Sequence, residues 1–340
     1  MTNYPTLKDV SAEAGVSMAL ASVVLNGKKS RIKASPETRK KIIDAAEKIG
    51  YEPNRNARAL RMSRSFLIGV ITYDISSSFI PQILTGIEQG FIHTNYSVLP
   101  TSYHSQEEFA ESLETFRKRK VDGLIIITTG FSGFPENLTM WNRIPKVFIG
   151  CNPQLDCTSS VRADGFAVGK IAAEAFLKRG CRKFVYLTYS PTHKASSGNY
   201  SGWQATLKNA GIPEENMIIV KTTLELEKSH ETIKETLLHN PDLDCVFADS
   251  DIMAAAVLKA AQELGRKVPD DLQVIGVDDS IICRITTPPL TSIWQPKTGQ
   301  GEAAAKLMLN LINENKTEAL VLPVHLNARE SIKTSGEIEK

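Results

Sequence analysis

The chain has 340 residues, 42% hydrophobic and 23% charged, a balance that suits two or three globular domains and excludes a disordered or fibrous chain. The formal net charge of +2 hides an asymmetry: residues 1–64 hold 13 Lys and Arg against 6 Asp and Glu (+7), leaving 27 against 32 (−5) for residues 65–340. A basic head on an acidic body points to a polyanionic partner for the head alone, although a solvated lysine-rich face has the same composition. No window approaches 18 uninterrupted apolar residues, and the opening MTNYPTLKDVSAEAG lacks the basic-then-apolar order of a secretory signal. The five cysteines (151, 157, 181, 245 and 283) are odd in number, scattered and free of CxxC spacing, which argues against a disulfide framework or a structural zinc. The expectation is a soluble, cytoplasmic protein with no metal, no cofactor and no membrane contact.

Leu7, Val10 and Ala14 recur at helical spacing, so TLKDVSAEA predicts a short amphipathic helix capped by Thr6. Gly15-Val16-Ser17 supplies a glycine for a tight turn, an apolar plug and a serine to cap a second helix, which runs through MALASVVLN to Gly27. Two short helices so joined are the pattern of a helix-turn-helix. In the second helix Ala21, Val24 and Leu25 share an inward face, and Met18, Ala19, Ser22, Val23 and Asn26 lie on the side that would meet a DNA major groove. The loop that follows carries Lys28, Lys29, Arg31 and Lys33, suited to phosphate contacts or to a solvated surface. Ser35-Pro36-Glu37 opens a third helix with an expected inward stripe of Ile42, Ile43, Ala46 and Ile49, ended by Gly50. The segment YEPNRNARALR has one large apolar residue, Leu60, and is too short to be helical alone in water; it reads as a linker able to order on binding.

These three ordered motifs (TLKDVSAEAGVS…ASVVLNG, SPETRKKI and GYEPNRNARAL) resemble the head of the lactose/galactose-repressor family of bacterial transcription regulators. The resemblance implies that the second helix reads the major groove and that the segment after Pro53 forms a hinge helix in the minor groove. There a leucine from each of two subunits, here Leu60, wedges open a base step. Carried over by position, Thr6, Ser17, Met18, Ala19, Ser22 and Asn26 face DNA, with Lys28, Lys29 and Arg31 near phosphates and Asn54, Asn56, Ala57, Leu60 and Arg61 in the hinge. One departure stands out: where the family has an arginine in its V-S-R-V-L-N stretch, this chain has Val23. That side chain either offers apolar contact to thymine methyls or joins the core of the head.

The body begins with a buried-strand run, Phe66 to Tyr73. It then alternates: helix 79–93, strand 96–101, helix 106–119, strands 121–128 and 145–150, helix 165–179, strand 183–189, helix 202–210, strand 217–221, helix 229–239, strand 243–248, helix 251–264 and strand 272–277. Near-continuous apolar strands between amphipathic helices predict two parallel sheets covered on both faces, with ligands at the carboxyl ends of the strands. No phosphate-loop, dinucleotide or nucleophile-elbow motif occurs, and the six histidines form no ligand-like group, so catalysis has no support and the chain is expected not to be an enzyme.

VRADGFAVG (161–169), FADSDIMA (247–254), VIGVDD (274–279) and PPLTSI (288–293) are similar to the effector-binding core of the same family, itself like periplasmic sugar-binding proteins. The resemblance implies an α/β protein: a helix-turn-helix head (1–51), a hinge (52–64) and a two-subdomain core (65–340). The core divides into about 65–162 with 294–322, and about 163–293 with 323–340. It also implies effector-binding positions at Phe79, Asp164, Asn199, Asp251 and Asp278. A carboxylate there can accept from two sugar hydroxyls while an aromatic ring covers an apolar sugar face. Asp251 reads equally as a first-turn acid complementing a helix dipole. Asn199 stands where the family commonly has an arginine, so a neutral saccharide is favoured over an anionic effector, with a degenerate pocket that takes no small ligand as the alternative; Trp203 is expected in the core. The implied function is a homodimeric repressor on a pseudo-palindromic operator, modulated by a small effector. A sugar-binding protein with an incidental head is the competing reading.

Overall fold

The computed structural model describes residues 5–25, 34–52, 62, 64–73, 75, 77, 79–128, 144–150, 158–189 and 198–334. The chain divides into two compact units, residues 1–65 and 66–340.

In the first unit the helices are α1 (Leu7–Glu13), α2 (Met18–Leu25) and α3 (Pro36–Ile49). Gly15, at φ +62°, makes the left-handed turn between α1 and α2 that a side chain would strain. Ser35 caps α3 by accepting from Thr38 N at 3.1 Å, with Pro36 at the first helical position. Val10, Ala14, Ala21, Val24, Ile42, Ala45 and Ala46 close the core. The expected stripe on α3 is corrected at one place: Ile43 is exposed and Ala45 is buried instead. A helix advances 100° per residue, so 42, 45, 46 and 49 share a face that 43 leaves. The linker residues 53–61 and the basic loop 26–33 lie outside the described residues.

The second unit contains two six-stranded sheets. The first takes β1 (Leu67–Thr72), β2 (Ser97–Ser102), β3 (Gly123–Ile127), β4 (Lys146–Ile149), β5 (Ser160–Ala163) and β11 (Ala319–Leu322) in the order β11-β5-β4-β3-β1-β2, all parallel. The second takes β6 (Phe184–Thr188), β7 (Met217–Lys221), β8 (Cys245–Ala248), β9 (Gln273–Asp278), β10 (Thr291–Trp294) and β12 (His325–Asn327) in the order β12-β10-β9-β8-β6-β7. Only the edge pair β10/β12 is antiparallel. The same winding is thus used twice. Apolar side chains cover both faces of each sheet, Ile68, Val70, Ile125 and Val147 on one face of the first and Ile71, Leu124 and Ile126 on the other.

The helices are α4 (Ile80–Phe91), α5 (Gln106–Arg119), α6 (Gly165–Leu177), α7 (Gly198–Asn209), α8 (Leu226–His239), α9 (Asp251–Glu263), the short α10 (Ile282–Ile285) and α11 (Lys297–Glu314). Three connections pass from one sheet to the other: β5 to β6 through Asp164, β10 to β11 through Gln295–Lys297, and β11 to β12. The periodicity reading does not contain α11, because Pro296, Gly299 and Gly301 interrupt the apolar pattern of its first turns. Gly301 has a packing reason: a Cβ on it would stand 2.1 Å from Ile83 O, just as one on Gly86 of the facing α4 would stand 2.0 Å from Thr298 O.

The α6/α7 pair crosses as closely. A Cβ on Gly202 would meet Phe166 O at 2.0 Å, and one on Gly169 would meet Asn199 O at 1.8 Å. Backbone contact at Gly165 and Gly198 starts α7 four residues before its expected beginning and brings Asn199 to the carboxyl end of the second sheet. Trp203 packs there, fully buried, against Tyr186. Gly202→Ala should therefore lower unfolding free energy by about 1–3 kcal/mol through overpacking, read by urea denaturation; unchanged stability would mean the two helices separate freely.

Candidate functional site: an outward helix and an acid-rich junction

On the first unit, α2 presents one face outward. Ala21 and Val24 are buried, whereas Met18 is 51% exposed and Ala19 is exposed beside it; Ser22 is half-buried. Val23 is half-exposed and outside the core cluster, so the reading that it joins the core of the head is not what the packing shows. Ser17 caps α2 by accepting from Leu20 N at 3.2 Å, which leaves its own hydroxyl proton directed by whatever acceptor approaches. Thr6 differs. Its backbone N–H and its hydroxyl both donate to Asp9 Oδ2 at 2.7 Å, so that proton is already placed. These bonds hold the Asp9 carboxyl below its ordinary range. Asn26, Lys28, Lys29, Arg31, Asn54, Asn56, Ala57, Leu60 and Arg61 lie outside the described residues.

In the second unit, parallel strands deliver acids to the carboxyl edge of the second sheet. Asp249 follows β8, Asp251 opens α9 and Asp278 ends β9. Asp249, which the sequence reading did not single out as a site residue, accepts from Tyr186 Oη at 2.6 Å and from Asn199 Nδ2 at 3.1 Å. Burial raises its carboxyl above the ordinary range, and the neighbouring Asp278 charge adds to the effect. Asn199 therefore reaches the junction by pairing with a carboxylate, a partner the uncharged amide suits.

Asp251 is only 2% exposed. Its Oδ2 accepts from Ser280 N at 2.6 Å and its Oδ1 from Ser292 Oγ at 2.5 Å, so it ties α9 to the loop after β9 and to β10. Ser250, the cap of α9, accepts from Met253 N at 3.3 Å. Neither the effector role nor the helix-dipole role expected for Asp251 describes these contacts, which join three elements of the second half. Asp164 likewise caps α6 by accepting from Ala167 N at 3.0 Å, at one of the crossings between the sheets.

Asp278 is held otherwise. It takes φ +106° and Asp279 takes φ +52°, two successive non-glycine residues in the left-handed half of backbone space, a costly arrangement concentrated where a site is built. Asp279 is spoken for by Arg329 at 2.6 Å and Asn327 at 2.7 Å. Asp278 Oδ1 lies 2.8 Å from Lys297 Nζ, with Gln295 Nε2 at 3.3 Å. The same ammonium stands 4.8 Å from the centroid of the Phe79 ring, so Phe79 and Asp278 do come together, through a lysine. Lys297 and Gln295 were missed in the sequence. The available signal was a lysine at the first position of a long helix, where the dipole disfavours a cation unless a carboxylate faces it.

The scattered cysteines are also partly gathered: Cys181, Cys245 and Asp244 place ligand atoms within 4.8 Å of one another. Their polar atoms have occupants, since Asp244 accepts from Arg182 N and Lys183 N, and Cys181 from Gln273 Nε2 at 3.1 Å. Burial, with the Cys181 thiol beside it, pushes the Cys245 thiol well above its ordinary value. No described helix is long and apolar enough to cross a membrane.

Burial, reinforced by the Asp278 charge, pushes the Asp251 carboxyl from 3.8 up to about 6. The folded state then binds this proton more tightly than the unfolded chain, so the group's stabilising contribution is complete below about pH 4 and is lost as pH rises through about 6. Asp251→Asn should flatten the fall in melting temperature across that window, and a slope identical to the wild type would assign the pH dependence to another group.

Residues 6–54 match the family described as "Bacterial regulatory proteins, lacI family", and residues 173–332 match a "Periplasmic binding protein-like domain". The chain is 34% identical over 325 residues to the ribose operon repressor of Bacillus subtilis (strain 168), covering 94% of this chain and 96% of that one. Its fold is similar to the lac repressor dimer bound to operator and the anti-inducer ONPF, with a TM-score of 0.83 at 23% identity over 97% of this chain and 99% of that one. A lacI-family regulator from Enterococcus faecium with bound ribose is also similar, with a TM-score of 0.69 at 28% identity over 78% of this chain and 98% of that one. The chain belongs to the lacI family of bacterial regulatory proteins, DNA-binding transcriptional repressors with an effector-binding core rather than enzymes.

Proposed function

We propose that this protein is a cytoplasmic, homodimeric repressor that binds a pseudo-palindromic operator and is modulated by a neutral saccharide bound between the halves of its core. The observation that carries the DNA reading is the outward face of α2: Ser17, Met18 and Ala19 are exposed on a helix whose opposite side is locked into the core by Ala21 and Val24. That face is uncharged. Attraction to phosphate falls to the basic loop of Lys28, Lys29 and Arg31 and to the hinge, and choice among sequences falls to methyl contacts, Asn26 and the Leu60 wedge. Effector binding changes the geometry of the paired hinges (52–64) through the core (65–340), and so changes operator affinity.

The saccharide reading is supported by the cluster of Asp249, Asp278 and Phe79, acceptors for hydroxyls beside an aromatic face. Dimerisation is supported by Ile281, which caps α10, and Ile285 at its end, 67% and 72% exposed and four residues apart.

Selection of bound duplexes from a random library should enrich a palindrome, and failure to enrich any sequence at moderate salt would overturn the reading. Asp278→Ala should retain operator binding in gel shifts and lose its response to the inducing or co-repressing sugar. Ile285→Asp should sediment as a monomer and bind the selected operator about 10²-fold more weakly, because the second half-site no longer adds its effective concentration; a dimeric variant would place the interface elsewhere.

A further inference from the structure

Lys297 is the side chain the reading above leaves without a purpose. It is buried to 6% exposure, and each direction its ammonium can use is taken. Nζ lies 2.8 Å from Asp278 Oδ1 and 3.3 Å from Gln295 Oε1, and it faces the Phe79 ring at 4.8 Å. Phe79 belongs to the half built on the first sheet and Asp278 to the half built on the second, while Lys297 sits on the crossing between them. A carboxylate, an amide and an aromatic face are the three kinds of group that recognise a sugar, and here they are gathered on an ammonium belonging to the protein itself.

We infer that Lys297 is a tethered occupant of the effector subsite, which a saccharide must displace in order to bind. This rests on the saccharide reading of the junction. The geometry accounts for two features together. A lysine at the first position of the 18-residue α11 opposes the helix dipole, and the Asp278 carboxylate compensates it. Asp278 in turn, 12% exposed and close enough to Asp249 and Asp251 to raise their pKa values, needs a cation whenever no ligand hydroxyls reach it. Sugar hydroxyls take over the Asp278 acceptor, the lysine swings to water on its flexible stem, and the Phe79 ring passes from ammonium to sugar. Affinity measured for the wild type is the intrinsic affinity reduced by the fraction of molecules whose lysine has withdrawn. The subsite is therefore set for high effector concentrations.

The test is calorimetric titration of D-ribose, D-glucose and cellobiose into the full chain and into Lys297→Met and Lys297→Gln. At least one of these sugars should bind Lys297→Met about tenfold or more tighter than the wild type, with Lys297→Gln, which keeps a donor to Asp278 but no charge, between the two. In Lys297→Ala, added ethylammonium should restore the competition and weaken sugar binding, while the same concentration of sodium should not. Equal or weaker affinity in both charge-removing variants would overturn displacement while leaving the saccharide reading standing. No binding of any of the three sugars to wild type or folded variant would overturn both. If Lys297→Met does not fold, Lys297→Gln decides by the same comparison.

Discussion

Parallel strands all end on the same side, and that constraint concentrates polar chemistry along one edge of each sheet. In the second sheet the edge receives Asp249, Asp251 and Asp278 within a few strands of one another, and carboxylates so placed cannot all remain ionised and buried without compensation. The rest of the junction answers that requirement. Ser280 and Ser292 donate to Asp251, Tyr186 and Asn199 donate to Asp249, and Lys297 meets Asp278. The glycines that let α6 approach α7 and α4 approach α11 are part of the same solution, because they bring Asn199 and Lys297 within reach.

Asp251 and Asp278 are held in different ways. Asp251 is a framework acid: it joins a helix start, a loop and an edge-side strand through two short hydrogen bonds from neutral donors. Asp278, on a backbone at φ +106°, is held instead by the single ammonium of Lys297 and the amide of Gln295. Opening either is costly while a carboxylate is left buried and unpaired, but the partner of Asp278 is the tip of a flexible four-carbon stem, which can leave without moving the backbone once another donor replaces it. That difference separates the part of the junction that keeps its shape from the part that can respond.

The head shows a comparable division. Its core is small, so its stability rests on alanine and valine contacts at close range together with well-formed caps at Ser17 and Ser35. Its outward helix carries no charge of its own. In the proposed reading, attraction and selection fall to different segments, so substitution on α2 would change operator choice without altering the salt-dependent affinity.

The sequence by itself determined what depends on neighbours within a few turns: the three head helices with their caps, the alternation of strands and helices in the body, and the presence of acids just after apolar runs. It also carried the family through three motifs in fixed order. It did not disclose α11, where Gly301 reads as an interruption until the crossing with α4 explains it, nor did it show that Asp251 meets Ser280 and Ser292 while Asp278 meets Lys297. Tertiary structure alone decided those points. Hydrophobic periodicity records which face a residue presents, but which charge it meets is set by three crossings between sheets, and these bring Phe79, Asp278 and Lys297 together from distant parts of the chain.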